Sequence, residues 1–197
     1  KLVGIETAGS LNVLLTDKTG TLTKGILKVT EFVTPDNKVF KDVSEVKKCK
    51  NYEVMYKSFY YNNASIISDT GIIGGNSTDR ALMSFIGSDK NIKDKVIKKE
   101  PFDSKYKYSS VTLSNGITYY KGALEVIMPK CKKYLNSFGS EVSLVNKSVI
   151  LKKINMYTKA SGRVLVFAYG ECFDELTLLG FVNIKDELRD EAKEGIR

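Results

Sequence analysis

The stretch Asp17–Thr23 constrains the fold more than any other part of this sequence. It follows the apolar run Leu11–Thr16, which is typical of a buried strand, and Gly20 then favours a loop. A carboxylate at the carboxyl end of such a strand lies at the edge where open α/β sheets bind ligands. It can attack a phosphoryl group if cations such as Lys18 and Mg²⁺ screen its charge. An aspartate before a glycine is also a common turn residue, so this spacing alone leaves both interpretations open.

The complete string Asp-Lys-Thr-Gly-Thr-Leu-Thr resembles the phosphorylation motif of P-type ATPases at all seven positions. It is also similar to the wider haloacid-dehalogenase-like group, whose phosphatases usually carry a second aspartate two residues after the nucleophile as general acid and base. Thr19 stands at that position, and its hydroxyl is a poor proton shuttle at neutral pH. The resemblance therefore implies a slowly hydrolysing phosphate on Asp17, with Lys18 beside it and Mg²⁺ held by Asp17 and the Thr19 backbone carbonyl.

The composition narrows the classes of partner. The 197 residues carry a net charge of +8 and contain no histidine, which excludes catalysis or metal ligation by histidine in this chain. The positive charge favours anionic partners, but the lysines are spread over many segments, so we expect a solvated surface and no nucleic-acid partner. No apolar run approaches the roughly 18 residues of a membrane span. A pump fragment with this sequence would be a cytoplasmic domain of an integral plasma-membrane protein, joined to the membrane only through parts of the full-length chain that are missing here.

The first half of the sequence predicts strands and helices in alternation. We expect a strand over Ile26–Thr34 and a helix over Ser44–Asn62 with Ser44 as its N-cap. Gly71–Gly75 is typical of a loop, and Asn76-Ser77-Thr78-Asp79 is typical of a helix start. A carboxylate at Asp79 would also be favoured by the helix dipole.

The second half predicts a hairpin followed by further helices and strands. Asn115-Gly116 is a strong signal for a two-residue hairpin turn. The remaining expected strands are Val96–Phe102, Tyr108–Ser114, Ile117–Lys121, Val164–Tyr169 and Leu176–Ile184. The remaining expected helices are Leu124–Cys131, Asn146–Ala160 and Glu187–Arg197.

These elements predict two domains. Residues 1–27 and 178–197 would form part of an α/β phosphorylation domain of the haloacid-dehalogenase-like kind. Residues 28–177 would form an inserted α+β nucleotide-binding domain built on an antiparallel sheet. Two short crossing strands would join them.

A nucleotide pocket would have to work without a P-loop, because the chain has no G-x-x-x-x-G-K-[ST] segment. A base needs an aromatic or apolar face, and phosphates need cations and backbone N–H groups. Phe102, Lys107, Lys121-Gly122 and Arg163 can supply these. A strand phenylalanine is more often a core residue, and a hairpin lysine is more often solvent-exposed, so both interpretations stand at this point.

The resemblance to P-type ATPases assigns roles to the same residues. Phe102 and Lys107 match the segment whose phenylalanine stacks adenine and whose lysine lies close to the base, with Tyr106 in place of the usual arginine. Lys121-Gly122-Ala123 matches an element lining the nucleotide pocket. The further matches are Asp79 in a Thr-Glu/Asp element, Arg163 in the strand whose arginine reaches the phosphates, and Asp186 and Arg189 in the element that re-enters the phosphorylation domain.

The resemblance implies the ATP-binding and phosphoryl-accepting part of an ATP-driven cation pump of the type II, calcium-like branch. Its ligands would be ATP and Mg²⁺, and the transported cation would bind in transmembrane helices absent from this sequence. The family's later Mg²⁺-binding segment and its phosphate-contacting lysine would lie beyond Arg197. We therefore expect this chain to bind ATP without turnover. A haloacid-dehalogenase phosphatase and a non-catalytic nucleotide-sensing module are the alternatives.

Overall fold

The computed structural model describes residues 23–145, 147–159 and 162–188, and these residues form a sheet flanked by helices. The strands are β1 (Thr23–Val33), β2 (Val39–Phe40), β3 (Ser65–Ser68), β4 (Gly71–Gly74), β5 (Val96–Asp103), β6 (Tyr108–Leu113), β7 (Thr118–Gly122), β8 (Cys131–Leu135), β9 (Glu141–Ser143), β10 (Arg163–Gly170) and β11 (Leu176–Leu188). The helices are α1 (Val43–Lys47), α2 (Tyr52–Tyr60), α3 (Ser77–Ile86), α4 (Leu124–Lys130) and α5 (Lys147–Lys159). Within these ranges, no helix has the length and apolar character that a membrane span requires.

The main sheet of the described residues has the strand order β2-β1-β11-β10-β7-β6-β5, and β8 and β9 extend it from β11. The pairs β10–β11, β10–β7, β6–β7 and β5–β6 are antiparallel, whereas β8 runs parallel to β11. The prediction of an antiparallel sheet with helices is confirmed for this part of the chain. The predicted phosphorylation-domain strand over residues 11–16 lies outside the described residues.

Alternation along β10 explains why helices cover both faces of the sheet. Successive side chains of a strand point to opposite faces. Phe167 belongs to a core cluster with residues of α2 and α3, including Phe59 and Leu82. Its neighbours Val166 and Ala168 belong to a second cluster with residues of α4 and α5, including Ile127 and Ile154.

The single helix expected over Ser44–Asn62 is wrong, because α1 and α2 occupy this range with a break between them. Asp42, not Ser44, is the N-cap: its Oδ1 accepts from the backbone N–H of Ser44 at 2.8 Å. Contacts with a distant turn accompany the break. The Cys49 thiol donates to the Ser137 carbonyl at 3.6 Å, and Asn51 Nδ2 donates to the Asn136 carbonyl at 2.5 Å.

Three further differences concern the extent of strands. Gly71–Gly75, expected as a loop, contains strand β4, because Ile72 and Ile73 pair with Ile67 and Ile66 across a hairpin with β3. Strands β8 and β9 follow α4 where the sequence predicted no strand. The helix expected over Glu187–Arg197 begins with two residues that belong to β11, and its remaining residues lie outside the described ranges.

Contacts divide the chain into two units. One comprises Lys1–Ile26 with Asp186–Arg197, of which the structure describes residues 23–26 and 186–188, and the other comprises Leu27–Lys185. The sequence placed the domain limits at residues 27/28 and 177/178, and these limits stay a prediction.

Candidate functional site

Four of the predicted site residues line one cavity of the larger unit. Asp79, Phe102, Lys121 and Arg163 line a cavity of about 240 Å³, called here the Arg163 cavity. The first three of them also line a cavity of about 490 Å³ that includes Asn63, called here the Asn63 cavity. These residues come from α3, β5, β7 and β10, so the fold brings together side chains that are up to 84 positions apart in the sequence.

The floor shared by the two cavities is a buried ion pair. Lys121 and Asp79 are each 6% exposed, and Lys121 Nζ contacts Asp79 Oδ1. The same ammonium donates to the Asn62 carbonyl at 2.6 Å. Burial lowers the pKa of the Lys121 amine, and the negative charge of Asp79 opposes that shift. A buried cation is stable here because the carboxylate and the carbonyl replace its water shell.

Asp79 is fixed in position by a capped helix. Asn76 is the N-cap of α3 and its Oδ1 accepts from the Asp79 N–H at 2.9 Å, so the predicted helix start at Asn76 is confirmed. Asn63 Nδ2 donates to the Asp79 carbonyl at 2.9 Å. Lys121 faces this helix from β7, where it pairs with Ser109 of β6 and with Phe167 of β10.

Phe102 is 52% exposed and is not part of a core cluster of the described residues. Phe102 lies on β5, the edge strand at one end of the main sheet. The neighbouring Pro101 has no N–H to donate, which is compatible with an edge strand. An apolar ring that stays half exposed beside two cavities has the geometry that stacking against a flat ligand requires.

The remaining predicted residues of the larger unit lie in different surroundings. Arg163 begins β10 and is exposed. Lys107 has φ of 57°, its Nζ pairs with the exposed Glu125 at 2.9 Å, and it does not line either cavity. Gly122 does not line them either: a Cβ at this position would lie 2.6 Å from the Cβ of Tyr108, so its small size permits β6 and β7 to approach.

The other predicted residues belong to the smaller unit or lie outside the described ranges. Asp186 Oδ2 accepts from the Thr23 hydroxyl at 2.7 Å, and its Oδ1 is buried without a hydrogen-bond partner among the described residues. Asp17, Lys18, Thr19 and Arg189 lie outside the described residues. Within the described ranges, no three side chains of His, Cys, Asp or Glu form a group that could hold a metal ion. The predicted Mg²⁺ ligands Asp17 and Thr19 are outside these ranges.

Sequence reasoning missed several polar residues that line the Asn63 cavity: Asn62, Asn63, Asn76, Lys99 and Ser109. Asn62 illustrates why, because its Nδ2 donates to the carbonyls of Ser109 and Tyr119, which belong to strands far away in sequence. The adjacent pair Asn62-Asn63 after a helix was the available signal, since two asparagines in succession commonly cap or turn a chain.

The fold and the site together define a helix-flanked, mainly antiparallel domain with two cavities that share a buried ion pair. The model of the family described as "P-type ATPase, cytoplasmic domain N" matches residues 51–191. The chain belongs to the P-type ATPase family.

Curated relatives match the chain over most or all of its length. It is 30% identical to calcium-transporting ATPase 7, plasma membrane-type, of Oryza sativa subsp. japonica, covering 100% of this chain and 22% of that protein. It is 32% identical to calcium-transporting ATPase 12, plasma membrane-type, of Arabidopsis thaliana, covering 96% of this chain and 21% of that protein. It is also 32% identical to the human calcium-transporting ATPase type 2C member 2, covering 100% of this chain and 24% of that protein. The chain thus spans less than a quarter of the length of these relatives.

Proposed function

We propose that this chain is the nucleotide-binding and phosphoryl-accepting cytoplasmic part of an ATP-driven cation pump. The observation that carries this proposal is the convergence of Asp79, Phe102, Lys121 and Arg163 on the Arg163 cavity. The names of the relatives, all calcium-transporting ATPases, support calcium as the transported cation. Plasma-membrane names among them support a cytoplasmic domain of a plasma-membrane protein, with the cation bound by transmembrane segments of the full-length chain.

The cavity residues fit ATP in distinct ways. The exposed face of Phe102 can stack a base, and base–aromatic stacking contributes about 1–3 kcal/mol. Lys121 supplies a positive charge at the shared floor. The Arg163 guanidinium is an exposed donor fork of the kind that binds phosphate oxygens bidentately. Lys107 and Gly122 would act from outside the two cavities: Lys107 would have to exchange Glu125 for the nucleotide, and Gly122 would act through the close approach of β6 and β7.

The phosphoryl step belongs to residues outside the described ranges. Asp17 would accept the phosphate, Lys18 would screen its charge, and Mg²⁺ bound to Asp17 and Thr19 would neutralise the phosphate oxygens. Asp186 and Arg189 would act beside them. Among the described residues, the buried Oδ1 of Asp186 has no hydrogen-bond partner, which fits a carboxylate that binds a donor or cation in the full site. Because the family's later Mg²⁺-binding segment is not part of this sequence, we expect ATP binding without turnover.

Titration with ATP tests the pocket. We expect Phe102→Ala and Arg163→Ala to weaken ATP binding about tenfold each, because stacking and a charged hydrogen bond are lost. Phe138→Ala is a matched control, since Phe138 is 74% exposed and lines neither cavity. Isothermal titration calorimetry measures the affinity of the wild type and of the three variants. Equal ATP affinity of the wild type and both cavity variants would refute the proposed pocket.

Other measurements distinguish the proposed pump from two alternative functions. A haloacid-dehalogenase phosphatase would hydrolyse phosphate esters rapidly with this chain alone. A nucleotide-sensing module would tolerate Asp17→Asn in the full-length protein, whereas a pump would lose ATP-dependent transport. Stoichiometric transfer of γ-labelled phosphate to Asp17 in this chain would contradict the expectation of binding without turnover.

A further inference from the structure

A second lysine lines the Asn63 cavity, and the proposed function gives it no role. Lys99 lies on β5, three residues before Phe102, and its ammonium donates to the Asn63 carbonyl. Lys99 is exposed as a residue, yet burial of its ammonium lowers the pKa of the amine, an effect that the charge of Asp79 opposes. The amine end is therefore turned inward from an exposed edge strand.

The carboxylates around this cavity are already engaged by other cations and donors. Asp79 contacts Lys121, and Glu100 pairs with Lys98 at 2.6 Å and accepts from Ser110 at 2.9 Å. Among the residues that the structure describes, no carboxylate lies within ion-pair distance of Lys99 Nζ. An ammonium has three N–H donors, and the Asn63 carbonyl accepts one of them. Donors thus remain for a ligand in this cavity.

The position of Lys99 indicates which part of a ligand it meets. Lys99 lines the Asn63 cavity and does not line the Arg163 cavity, whereas Phe102 lines both. A nucleotide with its phosphates at Arg163 and its base on Phe102 would have its base next to the Asn63 cavity, because Phe102 lines both cavities. Purine edges carry ring nitrogens and, in some bases, an oxygen that accept hydrogen bonds, and lysine is a common partner of such acceptors.

We propose that Lys99 is a base-contacting residue that donates a hydrogen bond to an acceptor atom of the purine stacked on Phe102. This inference rests on the proposed nucleotide binding and extends it to the recognition of the base. Lys98 is the matched control on the same strand, because its side chain is 68% exposed and does not line the Asn63 cavity.

The test compares three ligands that separate the base from the phosphates: ATP, adenosine and inorganic tripolyphosphate. Affinities are measured by NMR titration for the wild type, Lys99→Met and Lys98→Met, and thermal melting checks that each variant is folded. We expect Lys99→Met to weaken ATP and adenosine by the same factor, about tenfold, because a hydrogen bond from a charged donor is lost. The affinity for tripolyphosphate should stay unchanged, and Lys98→Met should alter none of the three.

Two results would overturn the inference while leaving the proposed function intact. In the first, wild type and Lys99→Met bind ATP and adenosine equally well. In the second, Lys99→Met weakens tripolyphosphate as much as ATP and leaves adenosine unchanged, which would make Lys99 a phosphate-binding cation. Failure of the folded wild type to bind either ATP or adenosine would instead overturn the proposed function, and this inference with it.

Discussion

Gly180 is a residue whose replacement the larger unit tolerates poorly, because both its backbone conformation and its surroundings exclude a side chain. Its φ is 145°, and a Cβ there would overlap the Val33 carbonyl oxygen and lie 2.8 Å from the Phe32 ring. It pairs with Phe167, next to a register shift between β10 and β11. The glycine therefore permits both an unusual backbone conformation and the close approach of β1.

We expect Gly180→Ala to lower the free energy of unfolding by at least about 2 kcal/mol, because backbone strain and overpacking add together. Gly116→Ala is the matched control: Gly116 has φ of 81°, but a Cβ at this position would meet no heavy atom within 4 Å. Strain alone should cost the control about 1 kcal/mol. Urea unfolding measures both variants, and equal losses would show that the contact with β1 has no energetic weight.

At the scale of elements, Asp94 connects three segments. Its Oδ1 accepts from the Ser114 hydroxyl at 2.8 Å, and its Oδ2 faces Lys57 Nζ of α2 at 3.0 Å. Its backbone N–H donates to the Tyr61 hydroxyl at 2.8 Å. Burial by itself raises the pKa of Asp94, but the hydrogen bonds from Ser114 and Lys57 outweigh it and the pKa is lowered.

Asp94→Asn should reduce the free energy of unfolding by about 2 kcal/mol at neutral pH, because hydrogen bonds to a charged group are lost. A carboxyl with a lowered pKa stabilises the fold above its unfolded-state value of 3.8 and loses this contribution as the pH falls through its folded-state value. The difference between variant and wild type should therefore vanish in acid. Denaturant unfolding at pH 7 and in acid measures it.

Glu53→Gln is the control for Asp94, because it removes the other carboxylate that pairs with Lys57. The Glu53 side chain is 66% exposed against 8% for Asp94, so a loss of only a few tenths of a kcal/mol is expected. Similar losses for Glu53→Gln and Asp94→Asn at neutral pH would mean that burial of Asp94 does not matter.

The sequence predicted structure best where residues close together in the chain determine the conformation. The helix start at Asn76 is an example, since capping depends on neighbouring residues. The turn expected at Asn115-Gly116 is present, but it is longer than the two residues predicted. The Leu113 N–H donates to the Ile117 carbonyl at 3.0 Å, so Ser114, Asn115 and Gly116 all lie in the loop. The break between α1 and α2 was not predictable in this way, because Asn51 contacts Asn136 from a turn 85 residues away. Strand β8 was also missed, since its short sequence Cys-Lys-Lys-Tyr-Leu has little periodicity and forms a strand by pairing with β11.

At the scale of the whole molecule, the two sets of domain limits differ mainly over residues 178–185. These residues belong to β11 and include the buried side chains of Leu178, Leu179, Phe181, Val182 and Ile184. Each such side chain contributes about 1.5–3 kcal/mol when it is buried. The sheet order also gives β11 neighbours on both sides, β1 and β10.

We therefore expect a fragment of residues 27–185 to fold and bind ATP, and a fragment of residues 28–177 to remain unfolded. Circular dichroism melting and ATP titration of the two fragments measure this. A cooperative melt of the shorter fragment at the same temperature would support the domain limits drawn from the sequence instead.

The sequence predicted those site residues that occur in motifs of the family it resembles. Phe102, Lys121 and Arg163 match family motifs and line the cavities. The same reasoning assigned Lys107 to the pocket, although its amine pairs with Glu125. Lys99 matches none of the motifs, and its amine donates to the carbonyl of Asn63, which lies 36 positions earlier in the chain. Such contacts depend on tertiary structure and cannot be read from a motif.

The half-exposed ring of Phe102 has a thermodynamic consequence. Water that covers this ring in the free protein is released when a flat ligand covers it, and the release of water from apolar surface lowers the heat capacity. The enthalpy of ligand association should thus become more negative on warming, and this temperature dependence should weaken when residue 102 is alanine.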